Sequence, residues 1–302
     1  MERYDPSGGT FSPATPSLAF ARYSHTATQL TDGRVLFVGG EGAASVLGSA
    51  EIYDPAAGTV STTGSLNTPR TAHAAVLLSG GSLAGQVLII GGLDATNTPL
   101  TTMELYDPGT GAFSLLPATL ASGRANLSAT VIPDGRVVIA GGNGSTQVEA
   151  FQPVSGTVAV IGSMLQARQF HTATLLPGSR VLFVGGAWNG QLAGAEVCDL
   201  SQATPTFTAT GNMAVPRMNH SATVLPSGIV LVAGGGDIVP PSFSTTASAE
   251  LFDPASLQFF PTGSLLEQLQ NHTATLLPDG TVLITGGYDY LHESQYDAEI
   301  YQ

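Results

Sequence analysis

Arginine recurs at one spaced position: Arg22, Arg70, Arg124, Arg168 and Arg217. A guanidinium holds a carboxylate through two parallel hydrogen bonds. Five such heads at one address suit an anion site, for an acidic sugar, a peptide carboxylate or a partner's Asp or Glu. A second reading stays open. Glutamate also recurs, at Glu51, Glu104, Glu149, Glu196, Glu250 and Glu299, and each arginine has a glutamate to pair with. Leu269 stands where a sixth arginine would be.

Three residues after four of the arginines come His25, His73, His171 and His220; Leu127 stands at that step after Arg124, and His272 follows Leu269 by the same step. Repeated imidazoles invite a metal, yet ligands must converge on one ion, and residues spread around a ring do not. The alternative is a packed histidine bonded to its neighbours. No metal, cofactor or catalytic residue is expected. Aromatic and titratable groups gather elsewhere, at Trp188 and at Tyr288, Tyr290, His292 and Glu293. Aromatic faces beside Asn, Asp and Glu suit sugar or peptide recognition; a solvated loop over the sheet below is the plainer account. Four Asn-x-Ser/Thr triplets start at Asn126, Asn143, Asn219 and Asn271. Three share one repeat position, so they read as products of the repeat.

What positions these residues is internal repetition. Gly-Gly ends six apolar runs, at Gly39, Gly91, Gly141, Gly185, Gly234 and Gly286, spaced 52, 50, 44, 49 and 52 residues apart. Runs such as Val35 to Val38 and Val181 to Val184 are short and rich in β-branched residues, which predicts buried strands. A strand such as His171 to Leu176 precedes each run. Asp-Gly turns, as in Asp134-Gly135, join the two because glycine accepts positive φ. A variable loop follows Gly-Gly, then a third strand such as Ala50 to Pro55. A fourth is anchored by Phe11, Val60, Phe113, Val158, Phe207 or Phe259.

Four strands recurring about every 50 residues make a propeller blade. The spacing predicts an all-β, six-bladed propeller with blades near 20–65, 68–117, 122–163, 166–211, 215–263 and 268–302 plus 7–15. One domain, 1–302, is expected. Glu2 to Pro6 aligns with Glu51 to Pro55, and so does Glu299 to Tyr301. The two segments compete for one slot, and the outer strand around Thr10 to Ser12 is expected to close the last blade, which removes a free sheet edge. The entry to strand one and the loop after Gly-Gly fall on the same face, around the central channel. Function is expected on that face, because rigid scaffolds carry it on loops.

Arg-x-x-His, Gly-Gly and Tyr-Asp-Pro at these offsets resemble the kelch repeat, in the bacterial form related to the galactose oxidase propeller. The resemblance covers the whole chain; the usual fourth-strand Trp is Phe or Val here. It brings two chemistries. Copper-radical oxidation needs a tyrosine cross-linked to cysteine, but the one cysteine, Cys198, takes a core place filled elsewhere by Tyr or Phe. The kelch-type sialic acid mutarotase implies an acid/base pair and a carboxylate anchor, for which Glu293, Asp289, His292 and the arginines are the available groups.

Of the 302 residues only 10% are charged, the net charge is −13, and all nine cations are arginine. That balance disfavours nucleic acid and anionic membranes, and no apolar run reaches the ~20 residues of a membrane span. The sequence predicts a rigid, monomeric binding domain of a larger secreted or cell-surface bacterial protein, holding a protein segment or a carbohydrate. An enzyme acting on an acidic sugar and a purely structural spacer are the alternatives.

Overall fold

A computed structural model describes residues 2–237, 244–289 and 298–302. Among them the structure is all-β, apart from a single 3-10 turn at Gly81–Leu83. Six of the sheets are the blades of a β-propeller, and two two-stranded hairpins stand beside them.

Each blade is an antiparallel meander. Blade one runs Thr26–Gln29, Val35–Val38, Ser49–Asp54 and Thr59–Ser65; blade two runs Ala74–Leu77, Val87–Ile90, Thr102–Asp107 and Ala112–Thr119. Blade three has Ser128–Val131, Val137–Ala140, Gln147–Gln152 and Thr157–Ser163, and blade four Thr172–Leu176, Arg180–Val184, Ala195–Asp199 and Thr206–Ala209. Blade five has Ser221–Val224, Val230–Ala233, Ala249–Asp253 and Gln258–Pro261. The sixth sheet has three strands, Thr273–Leu276, Val282–Thr285 and Ala298–Tyr301.

Second strands are buried on both faces, as continuous apolar runs predict. Val87, Leu88, Ile89 and Ile90 are fully buried, and so are Val181 to Val184. Third strands alternate core residues with the recurring glutamate. Fourth strands lie outermost and lean on them through aromatic pairs: Tyr106 on Phe113 at 4.8 Å and Phe252 on Phe259 at 4.9 Å. Cys198 is fully buried on the third strand of blade four, opposite Val181 and Phe207, which is a core place.

The Gly-Gly pair has a steric reason. Gly39 and Gly40 have φ of +58° and +88°, a region that L side chains rarely adopt. A Cβ on Gly39 would lie 2.6 Å from the Arg70 carbonyl oxygen, and one on Gly40 2.6 Å from that of Tyr23. Backbone of one blade thus meets backbone of the next at these glycines.

Of the two segments with third-strand character, Ala298–Tyr301 sits in the sixth sheet. Glu2–Asp5 pairs with Thr10–Pro13 as a separate hairpin, in the register Tyr4 opposite Phe11. That register copies Tyr53 opposite Val60. The chain forms two compact units, residues 1–139 with 149–160 and residues 140–148 with 161–302. The first holds blades one and two and most of the third sheet; the second holds blades four, five and six. Within the first unit, separate apolar clusters lie around Ile89 with Tyr106 and around Ile139 with Phe151. In the second they lie around Val232 with Phe252 and around Ile284 with Leu269.

Candidate functional site

The five arginines run into their own blades. Arg22 Nη1 donates to the carbonyl oxygens of Gly39 at 2.7 Å and Ser49 at 3.1 Å. Its Nη2 donates to Ser49 Oγ at 3.2 Å and Glu51 Oε2 at 2.7 Å. The guanidinium therefore staples the tops of strands two and three. Arg70 treats Gly91, Thr102 and Glu104 in the same way, and Arg217 treats Gly234, Ser248 and Glu250 alike. Arg168 pairs with Glu196 at 2.7 Å, and Arg124 pairs with Glu149. All five side chains are at most 1% exposed.

Each glutamate also accepts backbone N–H groups from the segment entering its blade, such as Asn67 at 2.8 Å and Thr68 at 3.1 Å on Glu104. Burial lowers the affinity of Arg70, Arg124, Arg168 and Arg217 for their protons, and the paired carboxylate opposes that pull. A buried ion pair of this kind need add little net stability, but removing one partner strands the other. These heads lie inside the blades, engaged with carboxylate and carbonyl groups. In blade six Leu269 is buried in place of the arginine, and Glu299 accepts the Leu266 N–H at 2.7 Å.

The histidines are packed as well. His73 Nε2 lies 2.9 Å from Thr26 Oγ1, His220 Nε2 3.0 Å from Thr172 Oγ1, and His272 Nε2 2.8 Å from Ser221 Oγ. Each bond joins one blade to the first strand of the blade before it. Burial pulls His73 and His171 down to about 3 and His272 to about 4, and it holds His220 well below the usual value. These rings are neutral at physiological pH. Among the described residues no group of three or more His, Cys, Asp or Glu converges as metal ligands.

Between arginine and histidine lie two variable residues with different fates. The first is buried at Thr71, Ala125, Met218 and Gln270. The second is left-handed in all six repeats: Ser24, Ala72, Asn126, Phe170, Asn219 and Asn271 have φ of 49–55°. These residues also link consecutive blades. Ala72 N donates to Ser24 O and Asn126 N to Ala72 O; in the second unit Asn219 N donates to Phe170 O and Asn271 N to Asn219 O, all at 3.0–3.1 Å. Their side chains are exposed or half-buried. Sequence reasoning missed this ladder. The signal was Asn at three copies, since Asn tolerates αL better than other non-glycine residues.

Trp188 is 41% exposed at the tip of a tight loop, where its backbone N–H donates to Gly190 O at 2.9 Å. The indole lies against Gly144, whose φ is +73° and where any Cβ would collide with the six-membered ring. The ring is thus fixed on one side and open on the other. Tyr288 is half-buried; it exchanges backbone hydrogen bonds of 3.1 Å with Gln270, and its hydroxyl accepts from Asn271 Nδ2 at 2.8 Å. Tyr290, His292 and Glu293 lie outside the described residues.

The Kelch motif model matches residues 74–118, which is blade two almost exactly as the strands delimit it. The other repeats carry the same Gly-Gly and glutamate in the same register, and all but the third, which has Leu127, carry the histidine. Blade two carries the Kelch motif, and the chain folds as a six-bladed β-propeller. A fungal alcohol oxidase of the AA5 family, solved with copper, shares 18% identity with a TM-score of 0.82, over 99% of this chain and 66% of the oxidase. The protein YjhT shares 13% identity with a TM-score of 0.74, over 95% of this chain and 96% of YjhT. At such identities the likeness is one of fold. No curated protein matches the sequence. Among the described residues no helix is long and apolar enough to cross a membrane.

Proposed function

We propose that this propeller is a rigid binding domain that presents variable side chains on a fixed backbone, with a protein segment or a carbohydrate as its ligand. One observation carries the reading. The recurring charges are paired inside the blades, while the second variable residue of each repeat stays exposed or half-buried on a hydrogen-bonded ladder. The fixed, half-open indole of Trp188 adds an aromatic face of the kind that sugars and peptides stack on. Low charge, the absence of lysine and the kelch likeness support a place on the cell surface or in the secreted fraction.

The acidic-sugar enzyme is supported less well. It needs an arginine head for the substrate carboxylate, and the five recurring heads are engaged by glutamate. Screening the protein on glycan and peptide arrays tests the proposal, with Trp188→Ala/Asn219→Ala/Asn271→Ala as control. Binding that the triple variant loses at unchanged Tm supports it. A blank on both arrays favours the spacer, and binding unaffected by the triple variant places the ligand elsewhere.

A further inference from the structure

Blade four differs from blades one, two and five two residues before the recurring glutamate. Blades one, two and five have Ser49, Thr102 and Ser248 there, whose hydroxyls accept from the arginine Nη2 at 3.2, 3.2 and 2.9 Å. Blade four has Gly194. Arg168 Nη2 reaches Glu196 at 2.7 Å and lacks the hydroxyl partner.

A cavity of about 540 Å³ opens at this point, walled in part by Gln166, Arg168, Gln191, Gly194, Glu196 and Asn212. Local structure explains it. The fourth strand stops at Ala209, opposite Glu196, whereas that of blade two continues to Thr119, opposite Thr102. The entering chain also gives fewer donors. Two successive N–H groups reach the glutamate in blades one, two and five, but in blade four only Leu165 donates, at 2.6 Å. A Cβ on Gly194 would lie 2.8 Å from Gln166 Oε1 and 3.8 Å from Asn212 Oδ1. Two amide oxygens therefore converge on the spot that the missing side chain leaves.

We propose that this cavity binds a neutral polyol of monosaccharide size. One ligand hydroxyl takes the place of the absent Ser or Thr hydroxyl, accepting from Arg168 Nη2 and donating to the amide of Gln166 or Asn212. The cavity lies within the 300–1,000 Å³ of small-molecule sites. Its two charges neutralise each other at 2.7 Å, so a neutral ligand is favoured over an acidic one. The inference uses neither Trp188 nor the left-handed ladder, and it stands apart from the reading above.

Gly194→Ser returns the protein's own hydroxyl to the cavity; the φ of Gly194 is outside the left-handed region, so the backbone accepts a side chain. Saturation-transfer NMR with a panel of neutral monosaccharides, and a hexuronic acid for comparison, reads the site. We expect a neutral sugar to bind the wild type more tightly than the hexuronic acid. Gly194→Ser should weaken that binding roughly tenfold or more, as loss of a buried hydrogen bond does, with Tm equal or higher. Asn212→Leu, at an exposed position, should weaken binding without unfolding the chain. No neutral sugar bound by the wild type, or undiminished binding in both variants, overturns the proposal. Trp188→Ala should leave the titration unchanged; loss of binding there would put the sugar on the loop and overturn the cavity.

Discussion

His73 Nε2 sits 2.9 Å from Thr26 Oγ1, across 47 residues of chain and from one blade to the next. The same contact recurs at His220 with Thr172 and at His272 with Ser221. A ring of histidines that suggested metal chemistry is a set of clasps between sheets.

Removing the hydroxyl should expose the cost of an unsatisfied ring nitrogen. Thr26→Val and Thr172→Val are each expected to lower stability by about 1–3 kcal/mol, measured by urea denaturation. Thr26→Ser should retain most of the wild-type value.

The clasps also set a pH dependence. His73, His171 and His272 have folded values of about 3, 3 and 4, against about 6.5 unfolded. The unfolded chain therefore binds more protons between those limits, and stability rises with pH through that window. The neutral rings contribute fully above about 6.5. Their contribution falls progressively as the pH drops from there towards 4, by up to about 1.4 kcal/mol per pH unit for each ring. Thermal unfolding at pH 7, 6 and 5 should show Tm falling. A flat profile would contradict neutral burial of the rings.

The left-handed ladder makes a prediction about shape rather than charge. Ala72 has φ of 53°, a conformation costly for a β-branched residue. Ala72→Val should lose about 1–2 kcal/mol, while Ala72→Asn, which copies Asn126, Asn219 and Asn271, should match the wild type or exceed it. Equal stability of the two variants would argue against the ladder.

Much of this was legible in the sequence. Six Gly-Gly pairs marked the blades, and at five of them, Gly39, Gly91, Gly141, Gly185 and Gly234, a close backbone approach at positive φ explains the glycine. The pairing of Arg70 with Glu104 was one of two readings, and burial decided between them. The left-handed residues were hidden because Ser24, Ala72 and Phe170 carry no turn signature; only the asparagines did. Gly194 was visible as the odd member beside Ser49, Thr102 and Ser248, but its meaning needed the short fourth strand of its blade. Which residues the variable loops bring together depends on backbone paths that composition does not encode.

The central claim, that the recurring charges belong to the blades, is tested most directly by a double-mutant cycle on Arg70 and Glu104. Arg70→Leu alone and Glu104→Leu alone should each cost about 3–5 kcal/mol, because each leaves a buried charge without its partner. The double variant should cost far less than the sum. Single variants that unfold like the wild type, with additive effects in the double, would show guanidiniums held free for another purpose and would contradict the account.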